Sequence, residues 1–134
     1  MIQFRLDFEP GIPVYEQATY AAKKAIISGQ LRPGDAFPSV RALSKALKIN
    51  PNTAHRVIMA LTQEGLLEVR SGVGTVVAAP PASTRAERGR LLGKEVEQLI
   101  VEAKKLGLAL DDVQQAVERQ WRLLDDPHKE QSRR

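Results

Sequence analysis

A proline interrupts this chain where a single long helix would otherwise have its middle. The stretch KINPNTAHRV, Lys48 to Val57, lies between two runs with apolar residues at helical spacing. Inside a helix, Pro51 would remove one backbone hydrogen bond and clash with the preceding turn, at a cost of about 3 kcal/mol. At the first turn of a new helix its missing N–H costs almost nothing, and Asn50 before it is a good N-cap. The stretch therefore predicts a tight turn and then a helix that opens with short polar side chains.

Periodic apolar residues predict the elements around this break. Helical spacing predicts three helices, at about residues 14–28, 40–47 and 51–64. Ser39 is the expected N-cap of the second helix, and Gly65 ends the third. Two β-branched runs follow, LLEVR and GTVVA, and Gly72 and Gly74 supply the positive φ angles that a hairpin needs. Residues 2–8 alternate apolar and polar side chains, which predicts a short strand or an extended arm before the first helix.

The last third of the chain has a different composition. APPAS, at residues 79–83, has the composition of a linker. Thr84 and Glu87 have the spacing of a capping box, which starts a helix that runs to Leu106. Asp111 is the expected cap of a last helix, and the polar residues after it are expected to be disordered. We therefore divide the chain into residues 1–78, a linker at 79–83, a two-helix segment at 84–125 and a tail at 126–134.

Apolar residues in this segment follow the pattern of a short coiled-coil contact. In the first of its helices they repeat at 4-3-4-3 spacing, at Leu92, Val96, Leu99, Ala103 and Leu106. In the last helix, Val117 and Trp121 lie on one apolar face. These faces could pack on each other within one chain or against a second chain, and the spacing leaves both arrangements open.

The distribution of charge indicates an acidic partner. The net charge is +4, and residues 36–63 contain no Asp or Glu in a chain that has 16 of them. Arg41, Lys45, Lys48 and Arg56 all lie inside this stretch. An acid-free stretch with four cations is typical of a nucleic-acid-binding surface, although a solvated helix face would have the same composition.

Several other classes of protein are disfavoured. The chain has no Cys, which excludes disulfides and thiolate metal sites. It shows no arrangement of nucleophile and base, no phosphate-binding glycine loop and no metal-ligand set, so we expect no enzyme activity, no cofactor and no metal. No apolar run approaches the 18 residues of a membrane span, and we expect a soluble, cytoplasmic protein with no membrane partner.

Two helices joined by a three- or four-residue turn and followed by a hairpin describe a winged helix-turn-helix. The predicted fold is therefore mainly α with a small β-hairpin wing, followed by a C-terminal two-helix dimerisation segment. Four motifs then resemble one family: G-x-L-x-P-G at residues 29–34, PS-x-R-x-L at 38–43, N-x-N-T-x-x-R at 50–56 and G-L-L-x-x-R-x-G-x-G-T at 65–75. Over about residues 13–77 the chain resembles the DNA-binding domain of GntR-family bacterial transcription regulators, and PVYEQ with the short tail resembles the YtrA subfamily. The resemblance implies a winged helix-turn-helix that binds operator DNA as a dimer.

The candidate DNA-binding residues lie on the second and third helices and on the wing. They are Ser39, Arg41, Lys45, Asn52, Thr53, His55, Arg56, Arg70, Gly72 and Gly74. Asn can bond adenine through two hydrogen bonds, Arg can do the same with guanine, and Thr can contact a thymine methyl. The resemblance implies DNA contacts for Arg41 and for the polar pair Asn52 and Thr53, and a minor-groove approach for Gly72. Pro51 departs from the pattern, because some subfamilies carry a base-reading arginine there.

These observations predict a sequence-specific transcription regulator, expected to be a repressor, that binds a pseudo-palindromic operator on double-stranded DNA as a homodimer. The recognition helix, residues 51–64, would enter the major groove with the wing toward the minor groove. An unidentified small-molecule effector would have to bind at the dimer interface, because two helices alone cannot enclose a pocket of about 300 Å³. The alternative is an architectural winged-helix protein that binds nucleic acid without sequence preference, and the ratio of specific to random DNA binding separates the two.

Overall fold

The computed structural model describes residues 6–125. The chain divides into two compact units, with the boundary between Pro81 and Ala82. The predicted arm at residues 2–8 lies partly outside the described residues, and the predicted tail at 126–134 lies wholly outside them. Of the two alternatives predicted for this segment, a strand or an extended arm, the described part does not form a strand; Leu6 packs, partly buried, against the core of the first unit.

The first unit is a winged helix-turn-helix. Its elements are α1 (Val14–Ile27), α2 (Val40–Leu47), α3 (Pro51–Gln63), β1 (Leu67–Arg70) and β2 (Gly74–Val77). The two strands pair antiparallel, from Leu67 opposite Val77 to Arg70 opposite Gly74. This confirms the predicted fold class, and the helix bounds differ from the sequence-based ones by one residue at most.

The core of this unit is built from small residues on α1 and larger ones on the other elements. Ala18, Ala22 and Ala25 are buried on α1, which lets α3 approach closely. The larger residues of this core are Ile26 near the end of α1 and, on the other elements, Leu31, Phe37, Leu43, Val57, Leu61, Leu66, Leu67 and Val77. Leu31 and Phe37 lie in the turn-rich connector between α1 and α2, so their burial fixes this connector against the core.

The connector also ties the wing to the helices. The Phe37 N–H donates to the carbonyl of Thr75 at 2.9 Å, and the Val77 N–H donates to the carbonyl of Asp35 at 2.8 Å. The residues just before α2 therefore pair with β2 much as a third strand would. Because backbone hydrogen bonds of this kind are directional, the orientation of the wing is fixed relative to the start of α2.

The second unit consists of helices joined by one turn. Its elements are α4 (Arg85–Arg90), a π-helical turn (Leu91–Glu95), α5 (Val96–Lys105) and α6 (Leu110–Asp125). The prediction of a capping box is confirmed: Thr84 Oγ1 accepts from the Glu87 N–H at 3.1 Å, and Glu87 Oε1 accepts from the Thr84 N–H at 2.9 Å.

One feature of this unit was not predicted, and one prediction is wrong. The helix predicted to run to Leu106 is helical from Arg85 to Lys105, but it contains a π-helical turn that the sequence did not predict, where Gly89 and Gly93 weaken the preference for α geometry. Asp111 does not cap the last helix, because it lies inside the first turn. Asp112 supports the helix start instead, since its Oδ2 accepts from the Ala109 N–H at 2.8 Å.

Within residues 6–125, no helix combines the length and the apolar character needed to cross a membrane.

Candidate nucleic-acid interface

The turn between α2 and α3 is held by a small set of hydrogen bonds. Lys48 ends α2 in the left-handed conformation, with φ of 55°, and its N–H donates to the Ser44 carbonyl. The Ser44 hydroxyl donates to the carbonyl of Ile49 at 2.6 Å. Asn50 then caps α3, its Oδ1 accepting from the Asn52 N–H at 2.8 Å, and Pro51 takes the first helical position. The predicted roles of Asn50 and Pro51 are thereby confirmed, and the turn presents the first residues of α3 in a defined orientation.

The first turns of α3 present polar side chains outward. Ala54, Val57 and Leu61 face the core, whereas Asn52 and Arg56 are exposed. Asn52 and Arg56 are four residues apart and so lie on one face of the helix, opposite the buried stripe. His55 is also exposed and Thr53 is half-buried, and both flank this face.

The cations of α2 lie on its exposed side. Arg41 and Lys45 are four residues apart and face away from the buried Leu43. The α2 helix packs against α3, so these cations and the start of α3 belong to one packed pair of helices. Among residues 6–125 neither Arg41 nor Lys45 has a hydrogen bond or ion pair from its side chain. Ser39, by contrast, uses its hydroxyl to cap α2, where it accepts from the Ala42 N–H at 3.1 Å.

The side chain of Arg56 has a contact that the sequence did not predict. Its guanidinium carbon lies 4.3 Å from the centroid of the Tyr15 ring, over the ring face. Tyr15 is in the first turn of α1 and is half-buried at the edge of the core. No local pattern predicts this pair, since the two residues are far apart in sequence and meet only because α1 packs on α3.

The wing residues are arranged differently. Gly72 and Gly74 have φ angles of 78° and 108°, which confirms the positive φ predicted for both and lets the hairpin turn without strain. Arg70 is paired within the strand: its Nη2 lies 2.7 Å from Glu68 Oε1. Glu68 is two residues before Arg70, so the two side chains share one face of β1. The positive charge of Arg70 is therefore partly compensated before any DNA binds.

The candidate dimerisation residues differ in their exposure. Ala103 is only 6% exposed and is covered within its own chain. The other six are exposed, with Leu92 at 72% and Trp121 at 71%: Leu92, Val96, Leu99, Leu106, Val117 and Trp121. The π-helical turn contains Leu92, so its phase relative to Val96 is not that of a regular α-helix.

No group of three His, Cys, Asp or Glu side chains within residues 6–125 could hold a metal ion.

Comparison with known proteins identifies relatives of both the sequence and the fold. The family model for bacterial regulatory proteins, gntR family, matches residues 14–77. The HTH-type transcriptional repressor YtrA of Bacillus subtilis is 33% identical over 112 residues, which are 83% of this chain and 85% of the relative. The structure of YtrA from Sulfolobus acidocaldarius, a GntR-family transcription factor, is similar at 27% identity with a TM-score of 0.50, over 86% of this chain and 93% of that one.

A transcriptional antiterminator from Listeria monocytogenes has a similar fold over the length of both chains. The TM-score is 0.81, with coverage of 92% of this chain and 93% of that one. At 19% identity this likeness shows the fold alone.

Proposed function

Because the chain belongs to the gntR family of bacterial regulatory proteins and is a DNA-binding transcription regulator, we propose that it represses transcription as a homodimer on a pseudo-palindromic operator. The relatives are transcription regulators, a role that is not enzymatic. A protein with this role acts on the chromosome, and we place it in the cytoplasm. Repression is proposed because the relative from Bacillus subtilis is a transcriptional repressor.

One observation carries the proposal: the exposed surface of α2 and α3 has cations and no acids. Arg41, Lys45 and Arg56 are exposed there, and residues 36–63 contain no Asp or Glu to neutralise them. Cations that are not paired with an acid can neutralise phosphates without first losing an ion pair. Asn52 and Arg56, on the outward face of α3, have the side chains that pair with adenine and guanine in the major groove. We therefore propose that α3 enters the major groove.

The wing is proposed to approach the minor groove of the same half-site. Its tip, at residues 70–74, contains two glycines with nothing within 4 Å of the position a Cβ atom would take. Such a tip can bring its backbone close to a phosphate or a groove edge. The hydrogen bonds from the connector to β2 support this proposal, because they fix the wing relative to the start of α2.

The second unit is proposed to form the dimer. The exposed apolar residues of α5 and α6 include Leu99, Val117 and Trp121. Several large apolar side chains left exposed on the same two helices are typical of an interaction site. Two-fold helix-turn-helix dimers bind two half-sites about 34–36 Å apart, one turn of DNA, which is the reason for proposing a pseudo-palindromic operator. An effector, if the protein has one, is proposed to bind at this interface between the two chains.

The sequence preference is tested by selection of duplexes from random double-stranded DNA, followed by measurement of Kd for the selected operator and for random DNA. A regulator should prefer its operator by about 10³-fold or more at physiological salt. A ratio near one would favour the alternative, an architectural protein that binds nucleic acid without sequence preference.

The dimer is tested by adding a charge to the exposed apolar surface. Leu99→Glu should give a monomer in sedimentation, with weaker operator binding, because it places a carboxylate in the proposed apolar contact. Gln98→Glu is the matched control: it introduces the same charge at the neighbouring exposed position and should remain dimeric. Truncation after Pro80 should likewise give a monomer. A dimer that survives both Leu99→Glu and the truncation would rule out this interface.

A further inference from the structure

The contact between Tyr15 and Arg56 has a role beyond packing. We infer that Tyr15 is a positioning residue for DNA recognition, which holds the Arg56 guanidinium on α1 and thereby orients it toward one base pair. The inference rests on the proposed function, in which Arg56 faces the major groove.

The geometry is that of a cation–π interaction. The guanidinium carbon of Arg56 lies 4.3 Å from the centroid of the Tyr15 ring, well inside the range of about 6 Å in which such contacts attract. A guanidinium that stacks on a ring through its flat face keeps its N–H groups at its edge. Two of those N–H groups are what a guanine requires from an arginine. Ring stacking and base recognition therefore use different parts of the same group.

Tyr15 is well suited to be a rigid platform. It is half-buried against the core at the start of α1. The chain before it is fixed by Gln17, whose Oε1 accepts from the Glu9 N–H at 2.8 Å and whose Nε2 donates to the carbonyls of Glu9 and Ile12 at 2.9 Å and 2.8 Å. A long, flexible arginine that rests on a fixed ring loses less conformational freedom when it binds a base than a free one does.

A second contact joins α1 to α3 nearer their C-terminal ends. Lys23 Nζ lies 2.9 Å from Glu64 Oε1. Tyr15 and Lys23 are eight residues apart on one side of this pairing, as are Arg56 and Glu64 on the other. The two contacts therefore join the helices in the same chain order, two turns apart on each. The ion pair at the far end offers a matched control, because it links the same helices without touching Arg56.

The other side chains near Arg56 leave its N–H groups available. Among residues 6–125 its side chain has no hydrogen bond or ion pair, and its contact is with the Tyr15 ring. Arg70 provides the contrast, since Glu68 Oε1 accepts from its Nε at 2.9 Å and also lies 2.7 Å from its Nη2. Arg56 is thus oriented by an interaction that does not consume the hydrogen bonds it needs for DNA.

The test is a double-mutant cycle on the operator selected by the wild-type chain. Kd is measured for two duplexes: that operator, and a version changed at the base pair for which Arg56→Ala loses its preference. The proteins compared are wild type, Tyr15→Phe, Tyr15→Leu, Arg56→Ala and the double variant Tyr15→Leu/Arg56→Ala. Tyr15→Phe keeps the ring and should retain wild-type discrimination. Tyr15→Leu keeps apolar volume but loses the ring, and should reduce discrimination at that base pair about two- to fivefold. In the Arg56→Ala background, Tyr15→Leu should have no further effect.

Lys23→Ala is the control for the pairing of α1 with α3 and should leave discrimination unchanged. The inference would be overturned if Tyr15→Leu lowered the affinity for operator and random DNA equally. It would also be overturned if Tyr15→Leu lowered discrimination as much in the Arg56→Ala background as in wild type. The contact itself is checked by NMR without DNA. The chemical shift of the Arg56 Nε–H should change in Tyr15→Leu but not in Lys23→Ala, and an unchanged shift in Tyr15→Leu would also overturn the inference. If the wild-type protein selects no operator, both the proposed function and this inference fail. If it selects an operator that Arg56→Ala prefers over random DNA as strongly as wild type does, only the roles assigned to Arg56 and Tyr15 fail.

Discussion

Asn50 is the residue at which the stability of the recognition helix and the binding of DNA can be separated. Its Oδ1 accepts from the Asn52 N–H at 2.8 Å, and its side chain is exposed. Loss of one such cap costs about 1 kcal/mol of unfolding free energy. In a unit of this size that corresponds to about 4–8 °C in Tm. Asn50→Ala should show this loss in thermal unfolding, whereas Asn50→Gly should cost only a few tenths of a kcal/mol, because glycine is tolerated at the N-cap.

Asn50→Asp gives the decisive comparison. Aspartate is as good a cap as asparagine and its charge suits a helix N-terminus, so Tm should be maintained. The same charge would face DNA phosphates in the proposed complex. A like charge about 4 Å from a phosphate costs about 1 kcal/mol in water, or about fivefold in Kd. We expect Asn50→Asp to bind all DNA about fivefold more weakly while remaining as stable as wild type.

Asn52→Ala is the control for the stability effect. The Asn52 side chain makes no hydrogen bond within residues 6–125, so its loss should change stability by less than about 0.5 kcal/mol. If Asn50→Asp loses as much stability as Asn50→Ala, the 2.8 Å hydrogen bond is not the source of the effect. If Asn50→Asp binds DNA as tightly as wild type, the turn between α2 and α3 does not face the phosphates.

Three further predictions concern charge. Arg56→Ala should cost about 1–3 kcal/mol of binding free energy and relax the preference at one operator position. Lys45→Ala should lower the affinity for all sequences alike and reduce the slope of log K against log salt by about one. If both variants have identical effects on operator and random DNA, this division of roles is wrong. Pro51→Arg should keep the fold, raise the affinity for any DNA and add a guanine preference in each half-site, which selection of duplexes with the variant would show. If the selected sequence and the affinity are both unchanged, the proposed orientation of α3 on DNA is wrong. The hydrogen bond from the Thr84 N–H, and then that with the Thr84 side chain, hold the pKa of the Glu87 carboxyl below its ordinary value. The stabilisation of α4 should therefore be complete above the unfolded-state pKa and be lost as the pH falls through the lower folded-state pKa. NMR titration of Glu87 should give a lower pKa than the same residue in an unfolded peptide, and equal values would refute it.

The elements of the first unit could be predicted because their signals are local. Pro51 after Asn50 fixes the start of α3 within two residues, and Ser39 does the same for α2. The glycines of the wing predict a hairpin because few other residues adopt positive φ angles. Each of these signals is read from neighbouring residues, so one sequence suffices.

What could not be predicted depends on geometry or on distant residues. The π-helical turn changes the hydrogen-bond pattern without changing the apolar spacing, so the 4-3-4-3 pattern through Leu92 looked regular. Tyr15 was missed because its partner lies on another helix and no local pattern joins them. The pairing of Arg70 with Glu68 was within reach of the sequence, since residues two apart on a strand share a face. The DNA contacts themselves remain predictions.

The acid-free stretch and the position of the ion pairs together divide the candidate cations into two groups. Where acids lie beside cations, as on β1, the structure forms an exposed pair, and Arg70 must share its charge between Glu68 and a phosphate. Exposed pairs are worth at most about 1 kcal/mol, so this pairing weakens a DNA contact of the wing without preventing it. In the described part of the chain, residues 6–125, no acid pairs with Arg41 or Arg56, and Arg56 is further restrained by the Tyr15 ring. We therefore expect the helices to supply most of the sequence discrimination, with Arg70 adding affinity that depends on salt rather than on sequence.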